Sequence, residues 1–441
     1  MEPMHTLAQL RAGKLTGSRR LNLSCGLKAF PTEIFDLADT LEILDLSGNA
    51  LSSLPDDFGR LHKLRVLFCS DNQFTALPAV LGQCLQLDMI GFKANRIRTV
   101  PAAALTPALR WLILTDNQID ELPAELGLCT RLQKLMLAGN RLQTLPETLA
   151  ACTRLELLRI SANRFTALPD WLFTLPRLSW LAYAGNPLCE QDESAALTQN
   201  PIPHIDWAHL SLQQQLGAGA SGVIHRAAWQ TDGEQHNVAV KLFKGAVTSD
   251  GLPHSEMAAC ISAGIHPNLI AVHGKIDAHP DDATGLVLAL VAPVFRNLAG
   301  PPSLDSCTRD SYAEHSVFDP DTVMRIAHAI ASAAQHLHAR GIMHGDLYAH
   351  NILHNDAGDC LLGDFGAASF VTETHSAQAL ERIEVRAYAC LLEELLMRCD
   401  APDAALSALQ QRCADPDIAR RPLFAEISRT LVTLQTASTA V

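Results

Sequence analysis

Residues 132–146 read LQKLMLAGNRLQTLP, in which leucines at three-residue and two-residue intervals lead to an asparagine and a closing Leu-Pro. The same pattern recurs throughout the first half of the chain. Its asparagine returns every 22 or 23 residues, at Asn49, Asn72, Asn95, Asn117, Asn140, Asn163 and Asn186. A single unit of this length cannot bury its leucines alone, so the recurrence indicates a stacked repeat array.

Each repeat is predicted to contribute one short strand to a parallel sheet, with its leucines pointing inward. The asparagine side chain both donates and accepts hydrogen bonds, which suits the point where the chain turns away from the strand. The full pattern, L-x-x-L-x-L-x-x-N-x-L-x-x-L-P, resembles the leucine-rich repeats of intracellular signalling proteins over about residues 20–190. This resemblance implies an α/β leucine-rich-repeat solenoid as the first domain, residues 1–190.

The residues between the inward leucines are predicted to line the concave face of that sheet. A solvated sheet face is normally polar, whereas this one carries aromatic, Met and Ile side chains. They include Phe68, Met89, Trp111, Ile113, Met136 and Trp180. Because an exposed apolar patch usually marks a protein contact, we predict that a protein partner or substrate binds there. Docking of the protein's own second half on this face is the alternative.

Composition and charge narrow the classes of partner. Residues 1–200 carry 19 basic and 20 acidic side chains, and residues 201–441 carry 15 and 27. This acidic balance disfavours nucleic acid and anionic membranes as partners. No apolar run reaches the ~18 uncharged residues of a membrane-spanning helix. The start of the chain lacks the pattern of a secretory signal, so the expected location is the cytoplasm.

Polar motifs follow one another in the second half of the chain. GAGASGV at residues 217–223 lies between two strand-like segments, and VAVK follows at 238–241. Glu256 stands on a helical stretch before HPNL at 266–269. The remaining motifs are MHGDLYAHN at 343–351, DFG at 364–366, Asp415-Pro416 and Arg421-Pro422. In this order they resemble a protein kinase of the tyrosine-kinase-like type.

The resemblance implies an α+β bilobal protein-kinase fold over residues 206–435. It follows a polar linker, residues 191–205, and precedes a short tail, 436–441. The residues that match the family's nucleotide-binding positions imply ATP as the bound nucleotide. They are Gly217, Gly219, Gly222, Val223, Ala239, Lys241 and Glu256.

The resemblance also implies catalytic and metal-binding roles. Asp346 would orient the acceptor hydroxyl and take its proton, and Lys241 would hold the ATP phosphates, oriented by Glu256. Asn351 and Asp364 would bind Mg²⁺, a hard ion that prefers oxygen ligands. Catalysis is thereby assigned to Asp346, Lys241 and Asn351, with ATP and Mg²⁺ as cofactors.

Two positions of the catalytic loop depart from the family pattern. Gly345 stands where the family usually has an Arg that pairs with a phosphorylated activation loop, so regulation by that route is not expected. Tyr348 stands where Ser/Thr kinases often carry a Lys that contacts the transferred phosphate. If Glu384 corresponds to the acidic residue that opens the next long helix, the segment after Asp364 is short.

The predicted function is an ATP-dependent protein kinase with the repeats recruiting a protein partner. Ser or Thr is the predicted acceptor, and Tyr is the less favoured assignment. The sequence His-Gly-Asp-x4-Asn also occurs in small-molecule phosphotransferases of the aminoglycoside and choline-kinase type. That activity is one alternative. A kinase-fold scaffold with little turnover is the other, although Lys241, Asp346 and Asp364 are all present.

Overall fold

A computed structural model of the chain describes residues 4–199, 201–219, 221–244, 247–248, 250–371 and 374–438. The chain divides into two compact units, Met1–Arg177 and Leu178–Val441. The division falls before residue 190, where the repeat domain was predicted to end. The last strand of the repeat pattern therefore belongs to the second unit.

The first unit is a parallel sheet of short strands, each three residues long. After helix α1 (Leu7–Arg11) the strands are β1 (Arg20–Asn22), β2 (Ile43–Asp45), β3 (Val66–Phe68), β4 (Met89–Gly91), β5 (Trp111–Ile113), β6 (Lys134–Met136) and β7 (Leu157–Arg159). Each pairs in parallel with the next, in sequence order. Most strands are followed by a 3₁₀ helix that completes the repeat, as at Ala124–Leu128. This architecture confirms the predicted repeat solenoid.

The regular spacing of the repeat asparagines is explained by their hydrogen bonds. The side chain of Asn72 donates from Nδ2 to the Leu46 carbonyl at 2.9 Å and accepts from the Leu51 amide at 2.9 Å. Asn140 binds the carbonyl of Leu114 and the amide of Ile119 in the same manner. These two asparagines therefore satisfy backbone groups of the preceding repeat, while the leucines before them, such as Leu135 and Leu137, are fully buried.

The second unit combines a mixed sheet with a mainly helical part. Its strands are β8 (Trp180–Ala182), β9 (His204–Asp206), β10 (Leu210–Ala218), β11 (Gly222–Thr231), β12 (Glu234–Phe243), β13 (Val272–Asp277), β14 (Gly285–Ala289), β15 (Arg296–Asn297), β16 (Ile342–Met343), β17 (Ile352–His354), β18 (Cys360–Leu362) and β19 (Ser369–Phe370). Its helices are α2 (Glu190–Gln199), α3 (Pro253–Ala263), α4 (Pro320–Ala339), α5 (Thr374–Leu396), α6 (Ala404–Cys413) and α7 (Phe424–Ser438).

The main sheet of this unit has the order β10-β11-β12-β14-β13-β9. Alternation along β12 sends Val238 and Val240 into an apolar core, so Ala239 and Lys241 face the other side. On that side Met257 of α3 packs into a second apolar cluster with residues of β12 and β14. This packing fixes the position of α3 and of Glu256, which directly precedes Met257 on that helix.

Residues 191–205 are not the polar linker that the sequence predicts. Most of them form α2, and β9 pairs in parallel with β13, with Ile205 opposite Ile276. Ile205 is buried in the apolar core of the sheet. The acidic composition that suggested a linker is that of a helix with an exposed face. At the other end, α7 extends to Ser438, and residues 439–441 of the predicted tail lie outside the described residues.

Among the described residues, no helix combines the length and the apolarity that crossing a membrane requires.

Candidate active site

A cavity opens in the second unit between the main sheet, α3 and the segment before α5. It contains about 840 Å³ of empty space, part of which is open to solvent. Its walls combine apolar side chains with a few polar ones. The lining includes Gly219, Gly222, Ile224, Lys241, Glu256, Leu286, Leu288 and Asp364.

Lys241 and Glu256 form an ion pair at the wall of this cavity. The Lys241 side chain is 12% exposed and that of Glu256 is 2% exposed. Burial opposes the charge of Lys241, but the carboxylates of Glu256 and Asp364 raise its pKa above the ordinary value. The ammonium group therefore stays protonated at neutral pH, beside the Asp364 carboxylate.

The antiparallel strands β10 and β11 form a hairpin that carries Gly217, Gly219 and Gly222. A Cβ placed on Gly217 or Gly219 would meet no heavy atom within 4 Å. Neither the packing of the chain nor a left-handed backbone requires glycine at these two positions. The open space lies along the backbone of the hairpin, whose Gly219 and Gly222 line the cavity. Glycine there leaves room for a ligand to approach the backbone closely.

The predicted role of Val223 in the cavity is wrong by one residue. Ile224 lines the cavity and stands opposite Lys241 in the register of β11 and β12. Because side chains alternate along a strand, Val223 faces away from Lys241. In the motif G-x-G-x-x-G-x-V, the final apolar position is therefore held by Ile224. Ala239, two residues before Lys241, shares its face of β12 but is not among the lining residues of the cavity.

Asp346 and Asn351 are brought together by the loop between β16 and β17. Asn351 Nδ2 donates to the Asp346 carboxylate at 2.8 Å and to its carbonyl at 2.9 Å. His344 accepts at Nδ1 from the Asp346 amide at 3.3 Å, and its Nε2 lies 2.9 Å from the Gly363 carbonyl. These contacts assign the Nε2–H tautomer to His344. Through its ring, His344 therefore connects the loop to Gly363, the residue before Asp364.

A buried carboxylate on α5 accepts hydrogen bonds from the backbone of the same loop between β16 and β17. Glu384 accepts from the backbone amides of His344 at 3.3 Å and Gly345 at 2.7 Å. It also lies 2.7 Å from Nε2 of His338. Burial alone would raise the pKa of Glu384, but His338, His344 and the Gly345 amide together lower it. Glu384 lies well inside α5, which begins at Thr374, rather than at the start of the helix as its correspondence with the family implied.

The oxygen groups that suit a divalent cation are few. Asp364 lines the cavity, with a backbone φ of +56° that is uncommon for a residue other than glycine. The amide nitrogen of Asn351 is engaged with Asp346, which leaves its amide oxygen as the potential ligand. In the part of the chain that the structure describes, no group of three His, Cys, Asp or Glu side chains forms a self-contained metal site. One carboxylate and one amide oxygen fit Mg²⁺, which is commonly bound through one or two carboxylates together with substrate phosphates and water.

Comparison with known protein families agrees with this geometry. The profile of protein tyrosine and serine/threonine kinases matches residues 210–397. Leucine-rich-repeat profiles match residues 40–61 and 130–188. The chain carries leucine-rich repeats and a protein-kinase domain.

The kinase domain is similar to parts of longer proteins. It is 28% identical over 193 residues to ephrin type-B receptor 4b of Danio rerio, covering 43% of this chain and 18% of the receptor. It is 26% identical over 175 residues to serine/threonine-protein kinase mos of Xenopus laevis, covering 39% of this chain and 45% of that protein. The chain thus spans less than half the length of these curated relatives.

Among solved structures, a leucine-rich-repeat protein of Leptospira interrogans matches at a TM-score of 0.39 and 28% identity, over 44% of this chain and 50% of that chain.

The predicted apolar stripe on the repeats is only partly accessible. Phe68, Trp111, Ile113 and Met136 are half-buried, and Met89 is 2% exposed. Lys134 lies over the Trp111 ring, 4.5 Å from its centroid. The stripe is therefore a partly buried apolar surface with a charged side chain packed against one of its aromatic rings.

The prediction that Trp180 binds an external partner is wrong. Trp180 is 1% exposed, because its ring stacks on Tyr348 inside the second unit. Its position in the repeat is the same as that of Trp111, so the repeat pattern gave no signal of the difference.

One pair of residues in the kinase domain was not anticipated. His350, next to Asn351, lies with Nδ1 2.7 Å from Oδ1 of Asp310, and its amide donates to Oδ2 of Asp310 at 3.0 Å. Burial opposes the charged imidazole, but Asp310 raises the pKa of His350 above its ordinary value. Asp310 precedes His350 by 40 residues in an irregular segment, so no local spacing pointed to the pair.

Proposed function

We propose that this protein transfers the γ-phosphate of ATP to hydroxyl groups of proteins, at Ser and Thr ahead of Tyr. The proposal is carried by one observation: the Lys241–Glu256 pair, Asp364 and the glycine hairpin share one cavity. The apolar lining suits the adenine ring, and Lys241 suits the phosphates. The open space at Gly217 and Gly219 accommodates the approach of the phosphates to the backbone.

The remaining residues complete the assignment of roles. The Asp346 carboxylate orients the acceptor hydroxyl and takes its proton, and Asn351 holds that carboxylate in place. Asp364 and the amide oxygen of Asn351 would hold Mg²⁺. When bound, this ion neutralises charge on the phosphates during transfer. Catalysis here consists of positioning and electrostatic stabilisation rather than covalent chemistry by the protein.

The assay that tests this proposal follows γ-labelled ATP with Mg²⁺, measuring label on protein and ADP in solution. We expect label on the wild-type protein or an added protein, and its loss in Lys241→Met and Asp364→Ala. Lys275→Met is the matched control, because Lys275 lies in the same sheet but does not line the cavity. Phosphoamino-acid analysis of the labelled protein distinguishes Ser and Thr from Tyr.

The other outcomes identify the alternatives. ADP formation that depends on a small alcohol, with no label on any protein, would indicate a small-molecule phosphotransferase. Bound nucleotide with neither ADP nor label would indicate a scaffold. Against the scaffold stand the Lys241–Glu256 ion pair and the Asn351–Asp346 hydrogen bond, with Asp364 lining the same cavity as the ion pair.

We further propose that the repeats recruit a protein substrate through the half-buried side chains of their stripe, and that the protein acts in the cytoplasm. Trp111 is the strongest candidate for a contact, since aromatic side chains are enriched at protein interfaces. The location is supported by the free thiols buried in both units, which are typical of a reducing compartment.

The recruitment proposal predicts a selective defect. Replacing Trp111 and Met136 together with Ala should lower labelling of proteins in a cell lysate by about tenfold, which corresponds to about 1.4 kcal/mol of binding free energy lost by the two replacements together. Labelling of the kinase itself and ATP binding should not change. Leu128→Ala, an exposed leucine on the outer side of the repeats, is the control. Equal labelling of lysate proteins by the wild type and the double variant would refute recruitment through this stripe.

A further inference from the structure

The last strand of the repeat pattern packs on the catalytic loop. The Trp180 ring stacks on the Tyr348 ring, with centroids 4.1 Å apart and planes within 5°. Trp180 Nε1 also donates to the Leu347 carbonyl at 3.1 Å. Leu347 and Tyr348 are the two residues after Asp346. Trp180 and Tyr348 are buried, so this contact fixes the loop immediately beyond the catalytic carboxylate.

A second contact reaches the segment that follows Asp364. The Tyr183 hydroxyl donates to the Phe370 carbonyl at 3.1 Å, and the Tyr183 amide donates to Ser369 Oγ at 3.0 Å. Ser369 and Phe370 form β19, which pairs with β16, the strand that leads into the catalytic loop. Tyr183 is 1% exposed. Trp180 in β8 and Tyr183 just after it therefore hold the loop that follows Asp346 and the segment that follows Asp364.

A third contact reaches α3 through α2. Glu193 accepts from the Gly185 amide at 2.7 Å and from Ser255 Oγ at 3.0 Å. Ser255 directly precedes Glu256, the partner of Lys241. Because Glu193 is 6% exposed, these hydrogen bonds are shielded from water. The turn after the repeat strand is thus connected by one carboxylate to the helix that presents Glu256.

We propose that Trp180, Tyr183 and Glu193 are positioning residues for phosphoryl transfer. They lie before residue 210, where the match to the kinase family begins. Trp180 and Tyr183 hold the catalytic loop and β19, and Glu193 holds α3 so that Glu256 remains paired with Lys241. The contacts promote activity, because the docked arrangement is the one in which the Lys241–Glu256 pair is formed. This inference rests on the proposed kinase function.

The proposal explains how the domain manages with Gly345 in place of the family's usual Arg. Trp180 and Tyr183 supply a fixed connection between the catalytic loop and β19. The resemblance to the family implies that a phosphorylated activation loop makes this connection where that Arg is present. The domain should therefore be active without prior phosphorylation, provided that residues 178–193 are docked.

The first experiment compares Glu193→Ala, Glu193→Gln and Ser255→Ala in the full chain. Loss of a hydrogen bond to a buried charged group should lower kcat about tenfold in Glu193→Ala. Ser255→Ala should show a smaller loss, and adding it to Glu193→Ala should cause little further change, because both remove the same bond. Glu193→Gln retains an acceptor and should recover most of kcat.

The second experiment compares Trp180→Ala with Trp180→Phe. Phe keeps a ring on Tyr348 but removes the donor to Leu347, so its kcat should fall less than that of the Ala variant. Trp171→Ala is the matched control, since Trp171 lies in the preceding 3₁₀ helix and in neither proposed site. Its kcat should equal that of the wild type. If Trp180→Ala does not fold, Trp180→Phe and the Glu193 variants still test the proposal.

Hydrogen exchange gives a readout that is independent of turnover. Amide exchange should rise in residues 343–354 of the Trp180 variants and in residues 253–263 of Glu193→Ala. Unchanged exchange there would overturn the positioning role, even if the wild type proves to be an active kinase. An increase in kcat on undocking would also overturn it, since the contact would then be inhibitory. If the wild type transfers no phosphate but exchange rises as expected, the proposed function fails and the docking role survives.

Discussion

Replacing Asp346 with Asn is expected to lower kcat about 10²–10⁴-fold, the usual contribution of a positioned general base. The amide oxygen of Asn can still accept the hydrogen bond that Asn351 now donates to the carboxylate, so the loop should keep its shape. What is lost is the capacity to take a proton from the acceptor hydroxyl. The measurement is steady-state phosphoryl transfer, alongside thermal unfolding of the same preparations.

Asp282→Asn is the matched control for this substitution. Asp282 is exposed and has a left-handed backbone, with φ +53°, that Asn also tolerates. Its kcat should be that of the wild type. Near-normal turnover in Asp346→Asn would show that this carboxylate is not the base. A lowered temperature of thermal unfolding in that variant would instead show that the loop had lost its structure.

Replacing Gly345 with Ala is expected to destabilise the kinase domain by about 2–5 kcal/mol. Gly345 has a φ of +73°, and a Cβ on it would lie 2.6 Å from the carbonyl oxygens of both Leu181 and Ala367. These are backbone atoms, which cannot turn aside as a flexible side chain does. The family's usual Arg would bring the same Cβ against the same two oxygens, which accounts for the glycine at this position.

Gly233→Ala separates the cost of a left-handed backbone from the cost of the close contact with the two carbonyl oxygens. Gly233 has a similar φ of +79°, but a Cβ there would meet nothing within 4 Å. This variant should lose only the backbone term, about 1–2 kcal/mol. Urea unfolding of both variants measures the difference between them. Equal losses would mean that the contact with Leu181 and Ala367 does not restrict residue 345.

The sequence was a good guide wherever the evidence was local along the chain. The repeat period of the asparagines predicted the solenoid, because each asparagine bonds the backbone of its neighbouring repeat. Within the kinase domain, the predicted partners Lys241 and Glu256 do form an ion pair, and Asp346 and Asn351 are hydrogen-bonded. Val223 shows that a motif must be counted exactly: the final position of G-x-G-x-x-G-x-V falls on Ile224, and the pairing of β11 with β12 places Ile224 opposite Lys241.

Other features depended on contacts between distant parts of the chain. Trp111 and Trp180 hold the same position in their repeats, yet only Trp180 stacks on the catalytic loop. Its bond to Leu347 spans 167 residues, which no periodicity encodes. The same holds for Asp310 and His350, and for residues 191–205, whose polar composition concealed a strand of the main sheet.

The sequence by itself therefore determined which domains this protein contains. One is a leucine-rich-repeat array, and the other carries the motifs of a kinase domain in their usual order along the chain. Local spacing carries that information, because strand alternation and repeat stacking act between near neighbours. Only the tertiary structure showed that the last strand of the repeat pattern, β8, belongs to the same compact unit as the kinase domain. That placement rests on the packing of Trp180, Tyr183 and Glu193 against segments distant in sequence, which depends on the shape of both surfaces together.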